Sequence, residues 1–468
     1  MSTAARPERA PTRLPARTIA RYAAGSLGTG GFATLPGLVL AYFLTDHLGV
    51  AALLAGVIVT AAKIWDVLID PLIGAASDRS LARTGSRKRF MVIGGFALPV
   101  FFALTFAVPP AFGPVAGAIC VLLAFLATAT AFSLFQVPYV ALPAELTPSY
   151  DERTRLLSWR VIALTATILL FGAGGPELRR LGADPTIGYL LMGVVAGVVI
   201  GIGMLVAARS ADDAVVPLSA TTAAEHRGIR AQYASGIAAL RRSAPFRALL
   251  GTFLVQALAT GTMLAGAQYV ATWVMRSESA VTLLFAALVA PALIATPGWE
   301  LLSRRIGKER AFAIASVLFL AAATTITIAL WAPGAWIYAS VAVAGIAYAG
   351  LQCLPMAMLP DVISHDERLH GPGRAGTFTG VWTAGETIGF ALGATIVSVV
   401  LAVTGYVSRS GVAADAIVQP AAAVDGIVLI FSVAPAALML LSLALLRGYR
   451  LRRGDIEPIP GAHQDPPA

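Results

Sequence analysis

From about residue 18 to residue 446, long apolar runs alternate with short polar interruptions. A window of about 19 residues marks twelve candidate helices. They lie at 18–44, 49–75, 90–109, 112–141, 157–176, 187–207, 246–275, 279–301, 311–331, 335–357, 376–405 and 425–446. A helix that crosses a bilayer needs about 20 apolar residues, and every run supplies that. The runs are rich in Ala, Leu and Gly and lack period-two alternation, which excludes the strands of a membrane barrel. The polar interruptions set the organisation: an Arg- and Pro-rich tail at 1–17, a loop at 208–245 with Arg227, Arg230, Arg241 and Arg242, and a basic, then Pro-rich, tail at 447–468. The central loop divides the spans into halves of six, 18–207 and 246–446. The expected fold is an all-α polytopic membrane protein with two pseudo-symmetric six-helix bundles.

Composition agrees with the pattern. Of 468 residues, 57% are hydrophobic and only 13% are Asp, Glu, Lys or Arg, and the mean hydropathy is +0.77. Soluble domains carry about 25% charged residues, and so little polar surface cannot cover a core of this size. Disordered chains are poor in apolar residues, so disorder is excluded too. The net charge of +9 points to lipid headgroups rather than nucleic acid, because the basic residues flank the apolar runs. Nearly all of them fall in or beside the two tails, the central loop and the even-to-odd loops. Arg179, Arg180, Arg276 and Arg409 lie in the opposite loops, and Lys63 lies within a span. By the positive-inside rule both termini are cytoplasmic, in a multi-pass cell-membrane protein, which requires an even number of spans.

Other chemistry is thin. Cys120 and Cys353 sit in apolar runs, and the five histidines show no ligand spacing, so no disulfide framework, metal site, cofactor or enzyme centre is expected. Gly28-Thr-Gly30-Gly-Phe-Ala33 mimics a dinucleotide fingerprint but lacks the preceding strand. Trp273, Trp299, Trp331 and Trp336 fall near span ends and read as an interfacial belt. A monomer is expected.

The stretches after spans 2 and 8 resemble one another. The first reads Gly74-Ala-Ala-Ser-Asp78-Arg79 and continues to Arg87-Lys88-Arg89, and the second reads Gly298 through Ser303-Arg304-Arg305-Ile-Gly307-Lys308. Six-plus-six topology with this repeated loop resembles the major facilitator superfamily. In that superfamily the loop helps hold the cytoplasmic helix ends together in the outward-facing state, which makes Gly74, Asp78, Arg79, Arg87 and Arg304 candidate gate residues. The alternative is that these are only topological charges.

The densest chemistry is Lys63-Ile-Trp-Asp66-Val-Leu-Ile-Asp70-Pro71-Leu-Ile-Gly74. A charge near the bilayer centre costs about 2.5–3.5 kcal/mol on insertion scales, so such residues face a cavity or a partner. Helical spacing puts Lys63, Asp66 and Asp70 on one face. Two carboxylates one turn apart repel, and a proton or cation between them relieves the repulsion. Lys63 neutralises one of them when the site is empty, and Pro71 is expected to loosen the helix and free backbone oxygens. The alternative is a salt bridge that staples helices.

This run resembles the second-helix signature of the glycoside–pentoside–hexuronide:cation symporters, the melibiose-permease-like branch of the superfamily. Tyr42-Phe-Leu-Thr45-Asp46, Val137-Pro138-Tyr139, Asp151-Glu-Arg153 through Trp159-Arg160, and Met358-Leu-Pro-Asp361 with Arg374-Ala-Gly376 are similar to further family segments in the same order. The resemblance implies cation coupling at Asp66 and Asp70 and sugar contact at Arg160. The chain departs from the family at Ile69, where sodium-using members have Asn. It departs again at Gly30 and Gln136, where sugar-binding Asp residues are expected, and at Glu386, near the expected helix 11 lysine. Losing an oxygen ligand at Ile69 favours H+ over Na+ as coupling ion.

The substrate cavity is expected to include Gln136, Tyr139, Arg160, Trp382, Glu386 and Thr387. Glu386 is a second proton carrier, a ligand for a cationic solute, or a partner for Arg160 or Lys63. Gln256, Gln268 and Gln352 line the pocket or join helices. The expected function is secondary active transport of a small organic solute such as a sugar or glycoside, coupled to H+ or another monovalent cation. The alternative is an uncoupled or proton-antiporting exporter of a hydrophobic or cationic compound.

Overall fold

The computed structural model describes residues 13–147, 150–214, 240–277, 279–370, 375–408 and 418–451. The N-terminal tail up to residue 12, most of the central loop and the C-terminal tail from residue 452 lie outside the described residues. Twelve helices among those described are long and apolar enough to cross a membrane. In chain order they are α1 (Ala16–His47), α2 (Ala52–Thr84), α3 (Lys88–Phe106), α4 (Pro114–Leu146), α5 (Tyr150–Arg180) and α6 (Pro185–Ala208), then α7 (Ala244–Val274), α8 (Ala280–Ile306), α9 (Lys308–Leu330), α10 (Trp336–His370), α11 (Ala375–Val403) and α12 (Ala421–Leu446).

Several boundaries differ from the sequence expectation. Helix α2 runs about two turns past residue 75, and α8 past residue 301, so Gly74–Arg79 and Gly298–Arg305 are helical rather than loop. Hydropathy reports where the bilayer ends, whereas backbone hydrogen bonding continues into water. Glycines set the actual ends: Gly85, at φ 70°, donates its N–H to the Leu81 carbonyl, and Gly307 adopts φ 94°. Both conformations favour a residue without Cβ. The backbone stays helical through Pro71, contrary to the expected loosening. Helix α12 is interrupted instead, at Ser432 (φ −126°, ψ −72°). Pro435 supplies no N–H, and its ring crowds the carbonyl of Phe431.

Packing repeats with a shift of six helices. In the first half α3 packs on α4 and α6, α2 on α4, and α1 on α5 and α6. In the second half α9 packs on α10 and α12, α8 on α10, and α7 on α11 and α12. The two halves meet through α2 with α11, α5 with α8, and α1 with α7, pairings that exchange under the same shift. Bundles related by a pseudo-two-fold axis produce this pattern.

Among the described residues, the hydrogen bonds between the halves lie toward the end that carries the α1–α2, α5–α6, α7–α8 and α11–α12 connections. There Thr60 and Thr395 hydroxyls stand 2.5 Å apart, and Thr282 donates to Glu177 at 2.7 Å. A Cβ on Gly56 would lie 2.5 Å from Ser398, and one on Gly172 would overlap Phe285. At the opposite end the ion pairs among described residues stay within one half. Arg87 meets Glu145 at 2.6 Å, joining the start of α3 to the end of α4. Lys308 meets Asp361 at 2.6 Å, joining α9 to α10 in the same way.

Candidate functional site

Helix α2 turns Ile64, Leu68 and Leu72 outward and its charged face inward. Lys63 Nζ lies 3.3 Å from Asp66 Oδ2 and 5.3 Å from the centre of the Phe32 ring on α1. Asp66 Oδ1 and Asp70 Oδ1 are buried without a hydrogen-bond partner. Ser133 of α4 stands beside Asp70, and Trp65 on the neighbouring face donates to Thr130 of α4 at 2.9 Å. Helix α2 thus brings together one neutralised carboxylate oxygen and two open ones. Leaving such oxygens unpaired costs more than about 1–3 kcal/mol each when they are charged, which a bound proton or cation removes.

Helices α4 and α5 complete this half. Gln136 Oε1 accepts from Thr29 of α1 at 2.8 Å. Tyr139 is fully buried, stacks on Tyr22 with ring centres 4.6 Å apart, and donates to the Tyr22 carbonyl at 2.9 Å. The Arg160 guanidinium lies 5.3 Å from the centre of the Tyr139 ring, with Nε unpaired. In the second half Trp382 is 1% exposed and stacks on Phe253 of α7 at 4.3 Å. Tyr139 and Trp382 are therefore packed inside helix contacts instead of lining the cavity. Flat rings gain more by filling a helix interface than by facing an open space. Glu386 lies near Tyr348 of α10, and Lys63 takes Asp66 as its partner. Thr387 is half-buried on the same turn of α11 as Glu386.

Among the described residues, the contacts found for Arg79, Arg87 and Arg304 lie within their own halves. Arg87 is a buried clasp that also donates to Ser77 at 2.6 Å. Arg79 donates to the Ala75 carbonyl of its own helix, and Arg304 pairs with Glu300 at the exposed end of α8. A Cβ on Gly74 would meet only Val137, at 3.6 Å. The side chain of Asp78 lies outside the described residues. Trp299 leaves the expected interfacial belt: it is 6% exposed and donates to the Ile346 carbonyl at 2.7 Å.

Sequence reasoning missed a cluster at the closed end. Helices α1 and α7 each end in a π turn, Phe43–His47 and Val270–Val274, preceded by Tyr42 and Tyr269. Thr45 and Tyr269 hydroxyls lie 2.9 Å apart across the halves, and Tyr42 meets Tyr269 edge-on at 5.3 Å. Tyr406, just beyond α11, donates to the Asp46 carboxylate, with both oxygens at 2.7 Å. Trp273 donates to Tyr406 at 2.8 Å. Burial, reinforced by the Asp46 charge, holds the Tyr406 phenol well above its usual range, so it stays protonated and donates. The repeated Tyr-x-x-Thr of 42–45 and 269–272 is the signal that marks this cluster in the sequence.

Two repeated six-helix halves, a closed mouth at one end and buried charges midway along α2 define a transporter of the major facilitator fold, not an enzyme. The MFS/sugar transport protein family model matches residues 21–453, and the chain belongs to that family of multi-pass membrane proteins. Relatives include the uncharacterized symporter sll1374 of Synechocystis sp., 25% identical over 83% of this chain and 86% of that protein. Another is the glucuronide carrier protein homolog of Escherichia coli, 22% identical over 93% and 92%. Among solved structures, a bacterial homolog of the human lysosomal transporter Spinster superposes with TM-score 0.63 at 13% identity, covering 94% of this chain and 97% of that one. That likeness concerns the fold.

Proposed function

We propose that the protein is a proton-coupled symporter that carries a sugar-like solute across the cell membrane by alternating access. The observation that carries this reading is the α2 face, where Asp66 and Asp70 each present a buried, unpartnered oxygen beside a lysine already engaged. A proton suits this site better than Na+. A proton needs only one carboxylate oxygen, whereas Na+ needs several oxygen ligands, and Ile69 beside Asp70 supplies none from its side chain. Protonation removes charge from the α2 face and changes the relative stability of the two bundle orientations. Coupling follows when proton and solute each favour one orientation.

The sugar-like solute is supported by membership of the family and by the names of the relatives. In this reading the rocking bodies are 18–207 and 246–446, both termini are cytoplasmic, and the protein works as a monomer. The closed end is then extracellular, and the described conformation opens toward the cytoplasm. Gly74, Asp78, Arg79, Arg87 and Arg304 would support the cytoplasmic ends when that side closes. Gln136, Arg160, Glu386 and Thr387 belong to the solute cavity, with Tyr139 and Trp382 positioning Arg160 and α11 from behind.

The test is uptake into proteoliposomes with an imposed pH gradient, using a panel of methyl glycosides. Asp66→Asn and Asp70→Asn are each expected to abolish accumulation against a gradient while the protein stays in the membrane. Undiminished uphill uptake in both variants would overturn the mechanism.

A further inference from the structure

The first bundle holds more hydrogen-bond donors than its proton chemistry uses. Lys63 makes one hydrogen bond among the described residues, to Asp66 at 3.3 Å, which leaves two of its three ammonium N–H groups unspent. Its side chain keeps 29% of its accessible surface. The ammonium rests over the Phe32 ring, an attraction that consumes no N–H.

Helix α4 continues this chemistry away from the closed end. Ser133, Gln136 and Tyr139 recur at steps of three along one broad face and stand beside Asp70, Thr29 and Arg160 in turn. Gln136 spends its amide oxygen on Thr29 and keeps its NH2 group. Arg160 Nε and Tyr22 Oη are buried without a partner. From Ser133 to Tyr139 the helix rises about 9 Å, long enough for one sugar ring with its substituents. The strip thus offers N–H and O–H donors, and the unpaired acceptors beside it are Asp66 Oδ1 and Asp70 Oδ1.

Other charges stand apart from this strip. Helix α1 carries none between Arg21 and Asp46, only the hydroxyls of Tyr22 and Tyr42, and α4 carries none before Glu145, which Arg87 holds. On α11, Glu386 lies about two and a half turns from Thr395, whose hydroxyl meets α2. It therefore points away from α2, toward Tyr348 of α10.

We propose that Lys63 is a solute ligand: an anionic group on the sugar takes the ammonium from Asp66, and the carboxylate pair takes up a proton in exchange. The proposal rests on the proton-coupled reading and names its solute class, a sugar acid, whose other oxygens accept from Gln136 and Arg160. In the empty site Lys63 neutralises Asp66. Once the ammonium turns to the solute, Asp66 and Asp70 would face each other as two buried charges, and such a pair does not stay doubly ionised. A proton from the open aqueous side adds to one oxygen of the pair. Anion and proton enter together, so the buried set carries the same net charge before and after. A neutral sugar offers only hydroxyls, weaker acceptors than a carboxylate, so it leaves Lys63 on Asp66 and takes up no proton.

The test is calorimetry on the full-length protein in lipid nanodiscs near neutral pH. The probes are the methyl glycosides of glucuronic and galacturonic acid against those of glucose and galactose. Repeating the titrations in buffers of different ionisation enthalpy reads the protons taken up per bound probe. At least one acid is expected to bind about tenfold or more tightly than its neutral counterpart, with uptake of about one proton. Lys63→Met should remove both the preference and the uptake, because without an ammonium the pair already holds its proton. Lys63→Arg, which keeps the charge, should retain the uptake. If Lys63→Met fails to fold, the uptake in the parent protein decides. Acid binding without proton uptake, or an unchanged preference and uptake in Lys63→Met, overturns the exchange and leaves proton coupling at Asp66 and Asp70 standing. Tighter binding of the neutral glycosides overturns the solute class and the exchange with it. If none of the probes binds, the sugar-like solute and the exchange both fall.

Discussion

Tyr406→Phe removes one hydroxyl from the closed mouth and leaves the ring in place. The hydroxyl donates to the Asp46 carboxylate and accepts from the Trp273 indole at 2.8 Å. Although both carboxylate oxygens lie at 2.7 Å, one proton serves them, so one charge-assisted bond is lost, worth about 1.5–3 kcal/mol. The Trp273 N–H also loses its acceptor, at about 1–3 kcal/mol if it stays dry. The two losses share an atom and do not add fully, so about 2–4 kcal/mol is expected. When the mouth opens, Asp46 and Trp273 can bond to water, so the cost falls on the closed state alone. The open-to-closed ratio should rise about 30- to 1,000-fold. A cysteine at Ala267, 7% exposed and near Tyr269 on α7, reports this when Cys120 and Cys353 are replaced by Ser. Its alkylation by an impermeant maleimide, added outside intact cells, scales with the open fraction. An acceleration of about 30-fold or more is expected in Tyr406→Phe. A rate within about twofold of the parent, in a protein that still folds, would show that these bonds do not hold the mouth shut.

Two further outcomes follow from the packing. Gly56→Val places a Cβ 2.5 Å from Ser398 and should raise the same alkylation rate about fivefold or more, since overpacking costs about 1–3 kcal/mol in the closed state; an unchanged rate would mean that α2 and α11 give way locally. Arg87→Ala leaves Glu145 buried without the 2.6 Å partner and should destabilise the fold by about 3–5 kcal/mol, read as a lowered thermal unfolding midpoint in detergent. The double change Arg87→Met with Glu145→Leu should recover most of that loss, and a midpoint unmoved by Arg87→Ala would deny the clasp any structural weight.

Much of the fold was legible because bilayer thickness converts directly into run length. The scarcity of charge made each charge within a span conspicuous, and Lys63, Asp66 and Asp70 follow from spacing on one helix. The residues missed depend on partners far away in the chain. Glu145 and Asp361 look like ordinary loop-edge acids until α3 and α9 fold back beside them. Tyr139 and Trp382 look like cavity aromatics until their neighbours fill the space around them.

The sequence by itself determined twelve spans, two halves and the charged face of α2, because helical periodicity and the cost of charge in hydrocarbon act locally. Only the tertiary structure decided which groups meet. It closed one mouth with Asp46, Tyr269, Trp273 and Tyr406, drawn from helix ends of both halves. It also oriented the Gln256 amide through serines on two other helices. The physical reason is that a hydrogen bond selects direction and distance in space, and separation along the chain carries neither.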